Sequence, residues 1–229
     1  MYVPNYIPEP LEVPGNATEE RYSARLAFIR RVEAWHAATV VLIAVLVQWV
    51  VAPPRLIWAA AATLACLIAL AIVRIAFRGR PFEARLSAAF LPVLLAVVAL
   101  LAAALARAGI PVWSVTFGLA AALVYAYACG RDFSFVGQYF LALIASSVGI
   151  AAVVLSVGLS KGDAAWALGL NAGFLTYFVY DLASMLSRRR IGEEPAAIVD
   201  LYRDVLNVFG YFIRVIRHWR KHRIWSQPR

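Results

Sequence analysis

Cysteine is nearly missing from this sequence, as are most residues that carry chemistry. The two cysteines, Cys66 and Cys129, lie inside apolar stretches and form no CxxC pair, which argues against a disulfide framework or a zinc site. There are three histidines. His36 opens an apolar run, while His218 and His222 are four residues apart near the C-terminus and lack an evident third metal ligand. No HExxH, P-loop or dinucleotide fingerprint occurs. Ser146-Ser147 has no GxSxG surroundings, so it reads as helix packing and not as a protease nucleophile. No enzymatic activity and no cofactor are expected. Charge is also scarce, at 15% of residues, and acidic groups are the minority, 13 against 22 basic, for a net charge of +9. The basic residues flank apolar runs. Their expected use is therefore topology and contact with the anionic headgroups of a lipid bilayer, and no nucleic-acid partner is expected.

Apolar residues fill the space. They make up 63% of the 229 residues, and mean hydropathy is +0.74, well above the roughly 45–50% apolar content of soluble domains. The runs span about Trp35–Val51, Leu56–Phe77, Leu86–Ala106, Val112–Cys129, Phe135–Leu159, Ala164–Leu186 and, more weakly, Ala196–Ile216. Each approaches the roughly 20 residues that a spanning helix needs. Backbone groups in hydrocarbon must be bonded internally, and these runs are too long for barrel strands, so helices are expected. The expected fold is all-α, a polytopic membrane protein with a seven-transmembrane-helix bundle over residues 25–217. Residues 1–24, with four prolines before Glu20, read as a disordered cytoplasmic N-terminal tail, and residues 218–229 as a basic C-terminal tail. Trp219 and Trp225 beside Lys221 and Arg223 read as interfacial anchors.

Orientation follows from basic residues in short loops. With the N-terminus inside, one face collects Arg21, Arg25, Arg30, Arg31, Arg78, Arg80, Arg85, Arg131, Arg188, Arg189 and Arg190, and the other only Arg55, Arg107 and Lys161. The expected location is a cell (plasma) membrane with a cytoplasmic N-terminus, as Ala- and Arg-rich usage suits a bacterium, or an endomembrane in a eukaryote. The tail from Arg214 to Arg229 conflicts with a seventh full crossing. Either the last segment is re-entrant, or the rule fails at this end.

Acidic residues deep in spans are costly and usually face a bundle interior. Asp181 lies in the sixth run and Asp204 in the seventh, joined by a short loop, so the two belong to an antiparallel hairpin at similar depth. In the last run Asp200, Asp204, Asn207, Tyr211 and Arg214 recur at helical spacing as a polar seam. Two carboxylates held close cannot both ionise cheaply. Sharing a proton at low pH would hold the hairpin together. At higher pH both would ionise, repel and open a site for a hard cation such as calcium. The alternative is a plain ion pair of Asp204 with Arg214 or with a basic residue elsewhere in the bundle, and an Asp181 that sits near the interface and reaches water.

These residues resemble a family. Cys129 to Gln138 (CGRDFSFVGQ), Val179-Tyr-Asp181, Leu201 to Phe209 (LYRDVLNVF) with the later Arg214, and Arg25 to Val32 (RLAFIRRV) are together similar to the ordered motifs of Bax-inhibitor-motif proteins, across roughly Arg25 to Arg217. The chain departs from the family at Leu182-Ala183-Ser184, at Arg203, and at Pro81 to Ala84, which lacks the usual asparagine. The resemblance implies a seven-helix bundle with a central C-terminal helix and a pH-sensing pair at Asp181 and Asp204. It also implies a basic latch at the end of the second helix, where Arg78 matches best by position and Arg74 is the competitor. The function it implies is a pH-sensitive calcium-leak channel with calcium ions and protons as partners. The alternatives are a non-transporting regulator bound to a membrane protease or survival factor, and a proton-coupled small-solute transporter.

Overall fold

A computed structural model describes residues 12–51, 53, 55–78, 80–130 and 136–221. The described residues are helical, with no strand among them: α1 (Tyr22–Trp49), α2 (Leu56–Ala76), α3 (Pro81–Ala89), α4 (Leu91–Arg107), α5 (Val115–Ala128), α6 (Val136–Val157), α7 (Lys161–Arg188), α8 (Glu194–Leu206) and α9 (Val208–Lys221). Short 3-10 turns, Ala17–Glu19 and Val112–Ser114, precede α1 and α5.

Four helical stretches are long and apolar enough to cross a membrane: Tyr22–Trp49, Leu56–Ala76, Phe82–Arg107 and Gln138–Val157. Val112–Ala128 is shorter but also apolar. α7, α8 and α9 are not among the spanning helices. Large apolar side chains point outward along these rods, for example Ile75 at 74% exposure and Leu155 at 82%. No water-facing surface tolerates so much apolar area, so this belt suits lipid.

Most expected runs map onto one helix each, with three differences. α1 starts at Tyr22, well before Trp35, because its first turns are polar on one side yet buried through Phe28, Ile29 and Val32. The third run divides at Phe90–Leu91, where Pro92 in the first turn of α4 lacks the N–H that a continuous helix would use. The last run divides at Asn207, whose φ of −97° and ψ of 42° leave the helical region. The continuous face assumed for the polar seam therefore ends at that residue. Asp200 and Asp204 lie on α8, Asn207 is an exposed cap, and Tyr211 and Arg214 lie on α9.

α1 packs on α4, α5 and α8, α2 on α4, and α7 on α5, α6 and α8. The bond from Asn171 Nδ2 to Ser146 Oγ (2.8 Å) fixes the antiparallel register of α7 and α6 and brings Tyr139 level with Phe178. The Phe178 ring lies 5.9 Å from that of His36 on α1. α7 continues ten residues beyond this level to Arg188, about 15 Å further. Every residue from Phe178 to Arg189 is buried. The cover comes from α8, α9 and part of the N-terminal segment expected as a loose tail. Val13 N donates to Ser187 O (3.2 Å) and Ala17 N to Arg189 O (2.8 Å). These bonds satisfy carbonyls that the end of α7 would otherwise leave bare.

Candidate functional site

The turn after α7 builds the site. Arg189 leaves the helix in an extended conformation, and Gly192 takes a φ of +93°, a region costly for any residue with a Cβ. Glu193 Oε2 accepts from Arg190 N (3.0 Å), and Pro195 starts α8 with its φ already helical. Arg190 Nε donates to Pro14 O (3.1 Å). The reversal lays Arg188 and Arg189 against the acidic side of α8.

Two carboxylates of α8 are then fully engaged. Asp204 Oδ2 accepts from Arg188 Nη1 (2.5 Å), and Asp204 Oδ1 from Arg203 Nε (3.0 Å) and Nη2 (2.9 Å). Asp200 Oδ1 accepts from Arg74 Nη1 (2.5 Å) and Arg189 Nη2 (3.1 Å), and Asp200 Oδ2 from Arg189 Nε (2.6 Å). Arg203 Nη1 lies 3.1 Å from Asp200 Oδ1, linking the two carboxylates. Arg189 also grips Glu83 of α3 through Nη1 (2.8 Å) and Nη2 (3.2 Å), and Ser87 Oγ donates to Glu83 Oε1 (2.8 Å).

Four arginines and three carboxylates thus form one network across α2, α3, α7 and α8, and none of the seven residues exceeds 7% exposure. Burying so many charges is expensive, and only dense pairing offsets it. Burial pushes the Asp200 carboxyl up, but the guanidiniums of Arg189, Arg74 and Arg203 overcome this and hold it well below the ordinary range. Asp200 therefore stays ionised at neutral pH.

The expected residues fall in different places. Asp181 is fully buried on α7, two turns before Arg188, on the helix antiparallel to the one that carries Asp204. Of the two latch candidates, Arg74 is the one that reaches a carboxylate, that of Asp200, whereas Arg78 is exposed. Asn207 is exposed and Arg214 half-buried. The Tyr211 side chain, His222, Arg223, Trp225 and Arg131 to Phe135 of the family-like motif lie outside the described residues. His218 is buried against the Tyr180 ring, 5.8 Å between centroids. Ser146 bonds Asn171 and the Ala142 carbonyl, as a packing residue would.

Sequence reasoning missed Glu83, Arg188, Arg189 and Arg203 as site members. Arg188 and Arg189 read as positive-inside residues, and Arg203 as a departure from a motif. The available signal was local: basic residues on one side of the Gly192 turn and acidic ones at Asp200 and Asp204 on the other. Among the described residues no three His, Cys, Asp or Glu side chains are grouped to hold a metal ion. No protein-family model, no curated protein and no solved structure matches the chain.

Proposed function

We propose that this chain is a proton-sensitive cation leak of a cell membrane, with calcium as its cargo, and that the arginine–carboxylate network is the lock at its cytoplasmic end. Asp204 carries the reading. Both of its oxygens are held by guanidinium groups in a buried setting, Arg188 on one and Arg203 on the other. A carboxylate so occupied offers nothing to a passing cation. Once Arg188 withdraws, one oxygen of Asp204 is exposed on the helix beside that of Asp181. Two carboxylates then share one proton at low pH and hold α7 against α8. At higher pH both ionise and repel, and together they supply the hard oxygen ligands that calcium prefers.

In this scheme α1, α2, α3–α4, α5, α6 and α7 cross the membrane, and α8 is the buried, central seventh helix. The likeness to the Bax-inhibitor motifs supports the same arrangement, with Arg74 in the place of the latch. Charges retained in the interior of a membrane protein despite their cost are functional more often than decorative.

Calcium flux into liposomes that contain only this protein tests the proposal. Flux should vary across about pH 6 to 8, the range in which a crowded carboxylate pair titrates. Absence of flux together with a stably co-purifying protease would favour the non-transporting regulator. Flux only in the presence of an organic solute would favour the transporter.

A further inference from the structure

We infer that α9 seats an anionic phospholipid on its outer side, at the face of the membrane from which α1 starts. α8 has 13 residues and α9 has 14. Each is about 20 Å long, short of the roughly 30 Å of hydrocarbon to be crossed. The break at Asn207 prevents them from acting as one rod, and α8 is enclosed by protein on all sides from Ala196 to Asp204.

The contacts of α9 fix its level and direction. Trp219 Nε1 donates to Thr176 O (3.1 Å), the Tyr180 ring meets His218, and Val215 packs on Tyr180. On α7 these partners, Thr176 and Tyr180, are four residues apart, and on α9 their counterparts Trp219 and Val215 are four residues apart in the opposite order, so α9 runs antiparallel to α7 here, with Trp219 at the level of Thr176. The Trp219 ring also packs edge-on against Tyr139, 4.9 Å between centroids. Tyr139 lies in the first turn of α6, at the network end of the bundle. Here the apolar belt of α6 begins, and an interfacial tryptophan belongs at such a boundary.

The outer side of α9 matches a lipid surface. Phe212 is 54% and Ile213 63% exposed, beside exposed Arg217 and Arg220. Between α7 and α9 lies a cavity of about 340 Å³, lined by Tyr177, Phe212, Val215, Ile216, Trp219 and Arg220. Its walls are apolar, and its one charged group is the Arg220 guanidinium, with Arg217 a turn earlier on the same exposed side. An acyl chain fits the walls, and a headgroup phosphate fits the two guanidiniums. This complementarity selects an anionic phospholipid over a zwitterionic one.

Two experiments on the full-length protein test the inference, and neither reads flux, so their failure is separate from failure of the leak. Native mass spectrometry from detergent should show phosphatidylglycerol retained over phosphatidylcholine. Arg217→Gln and Arg220→Gln should each weaken retention of phosphatidylglycerol about fivefold, leaving phosphatidylcholine unchanged. Equal retention of both lipids, or no effect of either variant, overturns the lipid site. In sealed vesicles on a Cys66→Ser, Cys129→Ser background, Arg217→Cys should react with an impermeant thiol reagent from the same side as Arg80→Cys. Reaction from the side of Arg107→Cys would mean that α9 crosses, and would overturn the placement at that face.

Discussion

The two ends of this helix bundle treat charge in opposite ways. At one end Arg55, Arg107 and Lys161 are exposed, and Asp163 is bonded by the Ser160 hydroxyl in a simple helix cap. At the other, seven charged side chains are withdrawn from water and bonded to one another across four helices. Surface charges on a membrane protein need only reach headgroups, and removing one changes little. A buried network ties the placement of each helix to that of the others, because each partner lost leaves an uncompensated charge behind. The asymmetry shows where the molecule stores its conformational constraint: where α7, α8 and α3 meet.

That contrast can be broken most forcefully at Arg189, which holds both Glu83 and Asp200. Arg189→Ala should cost about 3–5 kcal/mol and lower the detergent-solubilised melting temperature sharply. Arg107→Ala at the opposite end should leave it unchanged. Asp204→Asn should flatten the pH dependence of calcium flux with a smaller loss of stability, since the amide oxygen still accepts from one of the two guanidiniums, Arg188 or Arg203. Asp181→Ala should raise basal flux.

Acid sharpens the comparison further. The Asp200 carboxyl is held well below its ordinary value in the folded protein. Its contribution to stability is therefore complete above the ordinary Asp range near about pH 4 and is lost only as pH falls through the depressed folded value. Acid unfolding followed by tryptophan fluorescence should show the wild type losing this contribution on acidification, whereas Asp200→Asn should have no such dependence. The smallest effect is expected at glycines. Gly192→Ala and Gly109→Ala each force a Cβ into positive φ, +93° and +81°, and each should cost about 1 kcal/mol. Only Gly192→Ala should also alter flux, because only that turn aligns Arg188 and Arg189 with α8.

Much of the helical framework was legible because apolar runs bounded by Pro, Gly and Arg are a strong local signal. The α2 run matches the helix nearly to the residue, and α6 and α7 follow closely. The break at Phe90 had a signal in Pro92 that the apolar run overrode, whereas the break at Asn207 was not legible, as apolar content continues through it and only backbone geometry changes. The hairpin of α7 and α8, with Asp181 and Asp204 on neighbouring helices, followed from a short loop between two runs. The partners of the carboxylates did not. Arg74 and Glu83 lie 126 and 106 residues from the groups they bind, and no local spacing encodes such contacts. Arg188 and Arg189 were hidden for another reason: a basic cluster at a span end has an adequate explanation in topology, which conceals any second role. The docking of Val13 and Ala17 on the end of α7 was likewise unreadable from a proline-rich segment.

The most direct test is calcium flux through liposomes containing Arg188→Gln beside the wild type, at matched protein density. If the network is the lock, loss of Arg188 from Asp204 Oδ2 raises the leak at the upper end of about pH 6 to 8, where both carboxylates ionise, and leaves it low at the acid end, where they share a proton. Flux equal to wild type from a folded Arg188→Gln protein would contradict it, leaving the network as a structural clamp.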